Sequence, residues 1–324
     1  MILVTGASGF VGTHVVRRLA ENGAGPIRAM VRNLSKAPTI DGVDVVEADL
    51  TRPQTLSPAV AGVKVIIHAA AITANVKEPY QGAYDAINRV GTENLVAAAA
   101  GAGVTRIVVM SGLGTRPAPE GTYMATRWGL EEAVRKSGIS NVILQPSVLF
   151  GDGAEFIAAL SRLARVSPVL PLLGGGNVRF QPLWVEDLVT CLVACVTGDV
   201  LMNSAIPLGG SEYATFKEVL QTICQAMSVR RLIIPLPLPI ARVQARLMAA
   251  VLPNPPLTPA TLELFSFENA TDLDAVDRHF GFHPRGFRDL WGSTITSDSF
   301  ASAWTVDRDR PAVPQARQPV AWAL

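Results

Sequence analysis

The clearest chemistry in this sequence lies in a glycine-rich turn near its first residue. The run Thr5-Gly6-Ala7-Ser8-Gly9-Phe10-Val11-Gly12 follows a short apolar strand and opens a helical pattern. In that setting the first glycine permits a tight turn, the second lets the backbone approach a diphosphate, and the third lets helix and strand pack closely. Free N–H groups and the dipole at a helix N-terminus favour a bound anion. An ordinary glycine-rich turn is the alternative. The residues expected to hold a pyrophosphate are Gly6, Ser8, Gly9, Phe10, Val11 and Gly12.

The residue after the second predicted strand distinguishes between the two nicotinamide dinucleotides. A site for NAD(H) places an acid there, which accepts a hydrogen bond from the adenosine ribose. This sequence instead has Arg32, with Lys36 close behind. A guanidinium cannot accept a hydrogen bond, but it can clamp a 2′-phosphate. The pattern therefore favours NADP(H) over NAD(H), with a solvated surface arginine as the alternative.

Two later strand ends offer positions for the rest of the dinucleotide. Asp49 and Leu50 follow the third predicted strand, where the carboxylate could meet the adenine amine and the leucine could meet the ring. Asp49 could instead cap a surface helix. The fourth strand ends in His68 and three alanines, of which Ala69 and Ala70 leave room for a ribose. We interpret His68 as a packing residue.

Strands and helices alternate through the first half of the chain. Such alternation predicts βαβ units and a parallel sheet, and right-handed crossovers then give a doubly wound Rossmann α/β fold. The predicted strands are Met1–Thr5, Ile27–Val31, Val43–Glu47, Val63–His68, Arg106–Met110 and Val142–Gln145. The predicted helices of this half are Val11–Glu21, Gly91–Ala102 and Tyr123–Lys136.

The character of the sequence changes after Gly151, where Pro and Gly become frequent. We expect a dinucleotide-binding domain over residues 1–150 and a smaller substrate-side lobe over 151–295 with elements that return to the sheet. Residues 296–324 are expected to form a poorly ordered tail, since the composition from about Asp307 onward has little periodicity. In the second half we predict a strand and a helix over Arg179–Val196, a strand at Ala205–Leu208, and helices over Thr215–Met227 and Ile240–Leu252. Two segments are rich in proline, Ile234–Pro239 and Pro253–Pro259. We expect the second of these to form a loop over the substrate cleft.

Bulk composition narrows the classes of function. A formal net charge of +1 gives no sign of a nucleic-acid partner. Cys191, Cys195 and Cys224 are too few for a disulfide framework or a metal site, and we expect Cys191 and Cys195 in the core. No basic leader precedes the first strand and no apolar run reaches about 18 residues, which predicts neither a signal peptide nor a membrane span. A cytoplasmic protein is expected.

Taken together, these motifs resemble the extended and atypical branches of the short-chain dehydrogenase/reductase superfamily. The resemblance runs from Met1 to about Gly292. Motifs in the second half narrow it to one subgroup, which is related to the nucleotide-binding accessory subunit of mitochondrial complex I. The motifs that carry it are TGASGFVG (5–12), DL (49–50), HAAA (68–71), NRVGTENLV (88–96) and QPSVLFG (145–151), then LLGGGNVRFQPLWVEDLV (172–189), PLGGSEYATFKEVL (207–220) and LPLPIARVQARL (236–247).

The resemblance implies a catalytic pair on one helix, Tyr123 and Arg127. Active members of the superfamily have a Tyr and, four residues later, a Lys. A nearby cation lowers the pKa of a phenol, so the Tyr can exchange a proton with a substrate oxygen while hydride moves to or from nicotinamide. Arg127 can supply that charge and donate to ribose hydroxyls, but it cannot easily pass a proton onward. Tyr123 could alternatively serve only to seat the cofactor.

Other positions depart from the superfamily pattern or agree with it. The usual catalytic Ser has no clear counterpart, because Ser111 lies too early in register and Thr115 is only a candidate substitute. Gln145 stands where many relatives have Arg, while Pro146 would still line the nicotinamide pocket. Asn88 matches an Asn that braces neighbouring strands.

The segment Ile240–Leu252 has the period of an amphipathic helix, with Arg242 and Arg246 off the apolar face. Such a helix can lie on a membrane surface or dock on a protein complex. Packing of the apolar face against the core is the more common arrangement, and we expect it here.

Three functions are compatible with this reading. The first is an NADP(H)-dependent reductase or dehydrogenase of a small, hydrophobic or lipid-like carbonyl or alcohol. The second is a non-catalytic protein that holds its cofactor for structure or assembly. The third, ranked lowest, is a nucleotide-sugar epimerase or dehydratase. No metal is expected in any of them.

Overall fold

A parallel sheet of seven strands forms the centre of the molecule. The computed structural model describes residues 1–197, 201–251 and 257–294. The sheet has the strand order β3-β2-β1-β4-β5-β6-β11, and every neighbouring pair is parallel. These strands are β1 (Ile2–Thr5), β2 (Ile27–Val31), β3 (Val43–Glu47), β4 (Val65–His68), β5 (Arg106–Met110), β6 (Ser140–Pro146) and β11 (Ser204–Leu208).

Six short strands pair outside the central sheet. The pairs are β7 (Leu149–Phe150) with β10 (Leu183–Trp184), β8 (Val169–Leu173) with β13 (Leu232–Leu236), and β9 (Arg179–Phe180) with β12 (Ala214–Thr215).

Helices cover both faces of the sheet. Along the described chain they are α1 (Phe10–Glu21), α2 (Leu56–Val60), α3 (Gly91–Gly101), α4 (Tyr123–Arg135), α5 (Glu155–Val166), α6 (Val185–Thr197), α7 (Phe216–Ala226), α8 (Leu238–Val251), α9 (Pro259–Glu263), α10 (Ala275–Phe280) and α11 (Phe287–Thr294). A π-helical turn over Asp85–Val90 leads directly into α3.

The strand order reverses between β1 and β4, so a crevice opens at their carboxyl ends. In doubly wound sheets this is where ligands bind. One apolar cluster, on the side of α1 and α6, joins residues from the whole described chain, from Ile2 to Phe287. A second cluster lies on the side of α2, α3 and α4. The predicted Rossmann α/β fold is therefore confirmed.

One strand of the second half was not predicted from the sequence. Residues 232–236 form strand β13, although Pro235 lies within it and the segment was predicted only as Pro-rich. This strand has a single partner, β8, and a proline is tolerated in a strand whose other edge is open. Residues 252–256 and 295–324, which include most of the predicted Pro-rich loop and the predicted tail, lie outside the described residues.

The predicted inward packing of the apolar face of α8 was wrong. Ile240, Val243, Leu247 and Val251 are exposed, and the residues that α8 buries are Ala241 and Ala245. Small side chains let the helix backbone approach the core closely, which turns the larger side chains outward. Arg242 and Arg246 are also exposed, and Leu252 lies outside the described residues.

All three cysteines are buried, as predicted for Cys191 and Cys195, and none of them forms a disulfide within the described residues. Within the described ranges, no helix has both the length and the apolar character needed to span a bilayer. The same residues contain no cluster of three or more potential metal ligands.

Candidate functional site

The turn between β1 and α1 forms a cradle that only glycine can build. Gly6 has a φ of +67°, and a Cβ added to it would lie 2.9 Å from the backbone of Ala70. A Cβ on Gly12 would lie 2.1 Å from the carbonyl oxygen of Gly6. The N–H of Gly9 donates to that same oxygen at 2.8 Å. The turn is therefore packed against both β4 and its own helix.

The first turn of α1 has the geometry of an anion site. Gly9 is its N-cap and supplies no side chain to the free N–H groups. The nearby Thr13 hydroxyl contacts carbonyl oxygens, those of Ala7 at 3.1 Å and Gly9 at 2.9 Å, and so leaves the N–H groups open. Unpaired N–H groups on a helix N-terminus fit a diphosphate. This part of a dinucleotide therefore fits the residues present.

A cavity of about 380 Å³ runs from this turn toward α4 and α9. Its walls include the following residues predicted for the site: Gly6, Gly9, Phe10, Val11, Gly12, Ala69, Tyr123, Arg127 and Pro146. Five of the predicted cofactor residues do not line it, namely Ser8, Arg32, Asp49, Leu50 and Ala70. Ser8 lies in the turn itself, and the backbone of Ala70 closes against Gly6.

The remaining three lie at the ends of β2 and β3, beside the cavity. Arg32 follows β2 directly and is exposed, with no ion-pair partner in the part of the chain that the structure describes. Asp49 accepts from the Thr51 N–H at 2.9 Å and from its hydroxyl at 2.8 Å, so it caps its own turn. Leu50 is 4% exposed and packs beneath Gly91, which leaves little of its surface for a ring.

Tyr123 and Arg127 occupy successive turns of α4 and face the same cavity. The Tyr123 ring packs edge-on against Tyr84, with ring centroids 5.2 Å apart. Its hydroxyl has no hydrogen-bond partner among the described residues. Arg127 is 6% exposed, and its one recorded hydrogen bond is a long contact of 3.5 Å to the Met110 carbonyl. A cation buried without an anion is costly, so oxygens of a ligand are its expected partners.

The beginning of α4 is held by a residue that the sequence analysis did not find. The Glu263 carboxylate, on α9, accepts hydrogen bonds of 3.2 Å from the N–H groups of Tyr123 and Met124. Thr122 is the N-cap and accepts from the N–H of Ala125. A carboxylate at this position complements the helix dipole. The second half of the chain thus helps to place Tyr123.

A buried carboxylate lies behind the cavity on the same face of α4. Glu131 is fully buried and accepts hydrogen bonds from Ser111 at 2.5 Å, from Gln145 at 2.8 Å and from Arg135 at 2.5 Å. The departure at Gln145 therefore has a structural role. Ser111 lines the cavity, although the sequence analysis placed it too early in register for the catalytic serine of the superfamily. Because the hydroxyl of Ser111 donates its hydrogen to Glu131, its oxygen can only accept a hydrogen bond from a ligand in the cavity. Thr115 lines the cavity as well, and its hydroxyl donates to the Gly112 carbonyl at 2.7 Å.

His68 belongs to a buried chain of hydrogen bonds, which agrees with its interpretation as a packing residue. Its Nδ1 accepts from the Thr5 hydroxyl at 2.7 Å, and that oxygen in turn accepts from the Ala70 N–H. Its Nε2 lies 3.0 Å from the hydroxyl of Thr92, which donates to the Asn88 carbonyl. Burial, followed by the charge of Arg127, lowers the pKa of His68 to about 4. His68 is therefore a neutral structural residue.

Asn88 links two walls of the site. Its side chain pairs with both the N–H and the carbonyl of Ile72, in the segment after β4, and its amide also donates to Thr126 on α4 at 3.3 Å. It thus braces a loop against a helix, whereas the resemblance implied a brace between strands. The π-helical turn that carries Asn88 belongs to a rare class, which occurs frequently at functional sites.

A cluster of charged side chains connects α1 to α6 and to the segment that contains Asp152. His14 contacts Glu186 of α6 through Nδ1 at 2.5 Å and the Asp152 carbonyl through Nε2 at 3.0 Å. Arg18 also bonds Glu186, at 2.5 Å. Both partners of His14 are acceptors, so the ring makes both bonds as an imidazolium. Burial alone would lower the pKa of His14, but the hydrogen bond and charge of Glu186 raise it overall.

Comparison with known proteins agrees with this geometry. A family model described as NAD(P)H-binding matches residues 6–162. Over 241 residues the chain is 32% identical to the ceramide reductase of Caulobacter vibrioides, and the alignment covers 74% of each protein. It is 25% identical over 249 residues to NADH dehydrogenase (ubiquinone) 1 alpha subcomplex subunit 9, mitochondrial, of Arabidopsis thaliana, with 75% of this chain and 61% of that protein covered.

Solved structures show the same architecture. A quinone oxidoreductase of Escherichia coli, NADPH-dependent by its name, has a TM-score of 0.73 at 19% identity and covers 90% of this chain and 99% of its own. A nucleoside-diphosphate-sugar epimerase of Staphylococcus aureus has a TM-score of 0.69 at 18% identity, with 90% and 99% covered. Fold and site thus define a dinucleotide-binding α/β protein. The chain belongs to the NAD(P)H-binding family of the short-chain dehydrogenase/reductase superfamily that includes this ceramide reductase, as its motifs predicted.

Proposed function

We propose that the protein is an NADP(H)-dependent reductase of a carbonyl group in a small, hydrophobic substrate. The observation that carries the proposal is the meeting of three features at one cavity: the glycine cradle, the free hydroxyl of Tyr123 and the unpaired guanidinium of Arg127. Bound cofactor would supply or accept the hydride. The protein's own groups would bind the substrate oxygen and move its proton.

Tyr123 is the proposed acid and base. In the direction of reduction its hydroxyl donates a proton to the carbonyl oxygen as hydride reaches the carbonyl carbon, which yields an alcohol and a phenolate. Arg127 stabilises that phenolate by its charge and donates to ligand hydroxyls. The phenolate then recovers a proton from solvent. Ser111 does not polarise the carbonyl, because its hydrogen is given to Glu131.

The cavity walls support a hydrophobic substrate. Several large apolar side chains line the cavity, which favours burial of an apolar group. These are Leu113, Met124, Val148, Phe156, Phe180, Leu264 and Phe265. The named activity of the Caulobacter relative is a reduction, which supports the same direction of chemistry.

The proposed preference for NADP(H) rests on Arg32. It is exposed at the end of β2 and has no carboxylate partner in the described ranges, so its guanidinium is available to a 2′-phosphate. Arg32→Asp should shift the ratio of NADPH to NADH affinity toward NADH, measured by fluorescence titration with each cofactor. An unchanged ratio would exclude this assignment.

The activity is tested by following NADPH oxidation with panels of ketones, enals and quinones. Tyr123→Phe should lower turnover by about a hundredfold or more, the usual contribution of a general acid. Tyr80→Phe is the matched control, since Tyr80 is exposed and does not line the cavity. Turnover that survives Tyr123→Phe would show that the assigned acid is wrong.

A cofactor-holding structural protein is the second candidate function. Two observations favour it: Arg127 stands in place of the superfamily lysine, and the Ser111 hydroxyl is committed to Glu131. This function predicts that the purified protein retains NADPH tightly but oxidises none of the substrates in the panel. Turnover of any of them would exclude it.

A further inference from the structure

Half of the twelve large apolar side chains that are exposed in the described chain lie on one segment, which comprises β13 and α8. On α8, Ile240, Val243, Leu247 and Val251 are between 57% and 81% exposed. With 3.6 residues per turn they form one stripe along a helix of about 20 Å. We name this stripe the α8 apolar face. It continues the exposed side chains of β13, Leu232 and Ile234.

The charge around this face has one sign. Between Glu218 and Glu263 the sequence contains four arginines and neither Asp nor Glu. Arg242 and Arg246 lie one turn apart beside the α8 apolar face, are exposed, and have no ion-pair partner among the described residues. Arg230 is exposed at the beginning of β13. Large apolar side chains next to unpaired cations are the pattern of helices that lie in the plane of an anionic membrane surface.

Helix α8 is connected to the cavity through the next helix, α9. The segment after α8 comprises α9 and the short helical turn Leu264–Ser266, and α8 packs against α9. Thr261, Leu264 and Phe265 in that segment line the cavity. A bilayer in contact with α8 would therefore lie next to one wall of the proposed substrate site.

We propose that the α8 apolar face docks the protein on the surface of an anionic lipid bilayer, with its apolar side chains at the acyl boundary and Arg242 and Arg246 at the headgroups. The docking is independent of the proposed reductase activity. It can be present without turnover, and turnover can be present without it.

The experiment is vesicle flotation of the full-length protein. Vesicles contain phosphatidylcholine alone or three parts phosphatidylcholine to one part phosphatidylglycerol. The protein should float with the mixed vesicles and more weakly with the neutral ones. Val243→Asp combined with Leu247→Asp should abolish flotation. Arg242→Gln combined with Arg246→Gln should weaken binding to the mixed vesicles about fivefold per arginine, with little change on the neutral ones.

Matched controls separate the surface from general effects of charge and folding. Leu273→Asp combined with Leu34→Asp adds the same two negative charges on exposed leucines elsewhere, and Lys217→Gln with Lys64→Gln removes two exposed cations outside β13 and α8. Both should bind like the unchanged protein, and circular dichroism should show that every variant is folded. Absence of flotation by the unchanged protein, or flotation that survives Val243→Asp with Leu247→Asp, would overturn the proposal. So would self-association in sedimentation that is lost in that variant without any lipid binding, because the face would then join two copies of the chain.

Discussion

At the scale of single residues, Gly12 sets the distance between α1 and the turn before it. A methyl group there would lie 2.1 Å from the Gly6 carbonyl oxygen, so the helix or the turn must move. Such overpacking costs about 1–3 kcal/mol. Gly12→Ala should therefore lower the free energy of unfolding by that amount and weaken dinucleotide binding at least tenfold, as measured by denaturant titration and fluorescence.

The matched control for this substitution is Gly101→Ala, because Gly101 is in a helix and no atom lies within 4 Å of its Cβ position. It should leave both quantities unchanged or slightly raise the free energy of unfolding. Equal effects of the two substitutions would contradict the role given to the close approach at Gly12.

A substitution of Ser111 tests how much its hydrogen bond to the buried carboxylate of Glu131 contributes to stability and to turnover. Ser111→Ala removes a hydrogen bond to Glu131, and hydrogen bonds to charged groups contribute about 1.5–3 kcal/mol. We expect a loss of stability of that size. Turnover should fall much less than in Tyr123→Phe, because Ser111 does not donate to the substrate.

Ser161→Ala is the control, since this buried serine donates to a neutral acceptor, the Ile157 carbonyl. Its effect on thermal unfolding should be smaller, about 0.5–1.5 kcal/mol. If Ser111→Ala instead stops turnover without changing stability, Ser111 acts on the substrate directly.

At the scale of secondary structure elements, Glu263 joins α9 to the beginning of α4. Glu263→Ala removes the acceptor of the Tyr123 and Met124 N–H groups, and loss of such a cap costs about 0.5–2 kcal/mol. The free energy of unfolding should fall accordingly, and kcat should fall because the first turn of α4 carries the proposed acid. Glu120→Ala, an exposed acid before the same helix, should change neither; an unaltered kcat in Glu263→Ala would show that Thr122 alone positions the turn.

The cluster of His14 and Glu186 makes the packing of α1 against α6 depend on pH. The pKa of His14 is raised above 6.5, so its contribution to stability is complete below pH 6.5 and is lost as the pH rises through the raised pKa. The pKa of Glu186 is lowered below 4.5, so its contribution is complete above pH 4.5 and is lost only at lower pH. The cluster is strongest between these limits.

Thermal unfolding should reveal this dependence. Between pH 6 and 9 the melting temperature of the unchanged protein should fall more steeply than that of His14→Gln. His283→Gln, at an exposed histidine, should follow the unchanged protein. Parallel curves for the unchanged protein and His14→Gln would contradict the charged state that the two acceptors of His14 require.

At the scale of the whole molecule, the features that the sequence predicted are those that depend on residues close to one another in the chain. The glycine turn is specified by backbone sterics within eight residues, and the α-helical repeat alone places Tyr123 and Arg127 on one face. The strand ends were predictable for the same reason. The sequence could therefore identify the cradle, whereas Tyr123 and Arg127 were identified through the resemblance to the superfamily.

The remaining features depend on contacts between distant segments. Glu131 meets Ser111 and Gln145 from two neighbouring strands, and Glu263 reaches α4 from 140 positions away. No local repeat encodes such meetings. On α8, periodicity showed which side chains share a face, but the direction of that face was set by how closely Ala241 and Ala245 fit the core.

The neutral imidazole of His68 can serve as an internal sensor of occupancy. Burial is the main cause of its low pKa, near 4, and the positive charge of Arg127 is the second. A phosphate placed beside Arg127 would cancel part of that charge and raise the pKa of His68, whereas a neutral ligand would leave it unchanged. Nuclear magnetic resonance of the ring at acid pH should therefore distinguish charged from uncharged occupants, and Arg127→Met should reproduce the charged case with the site empty.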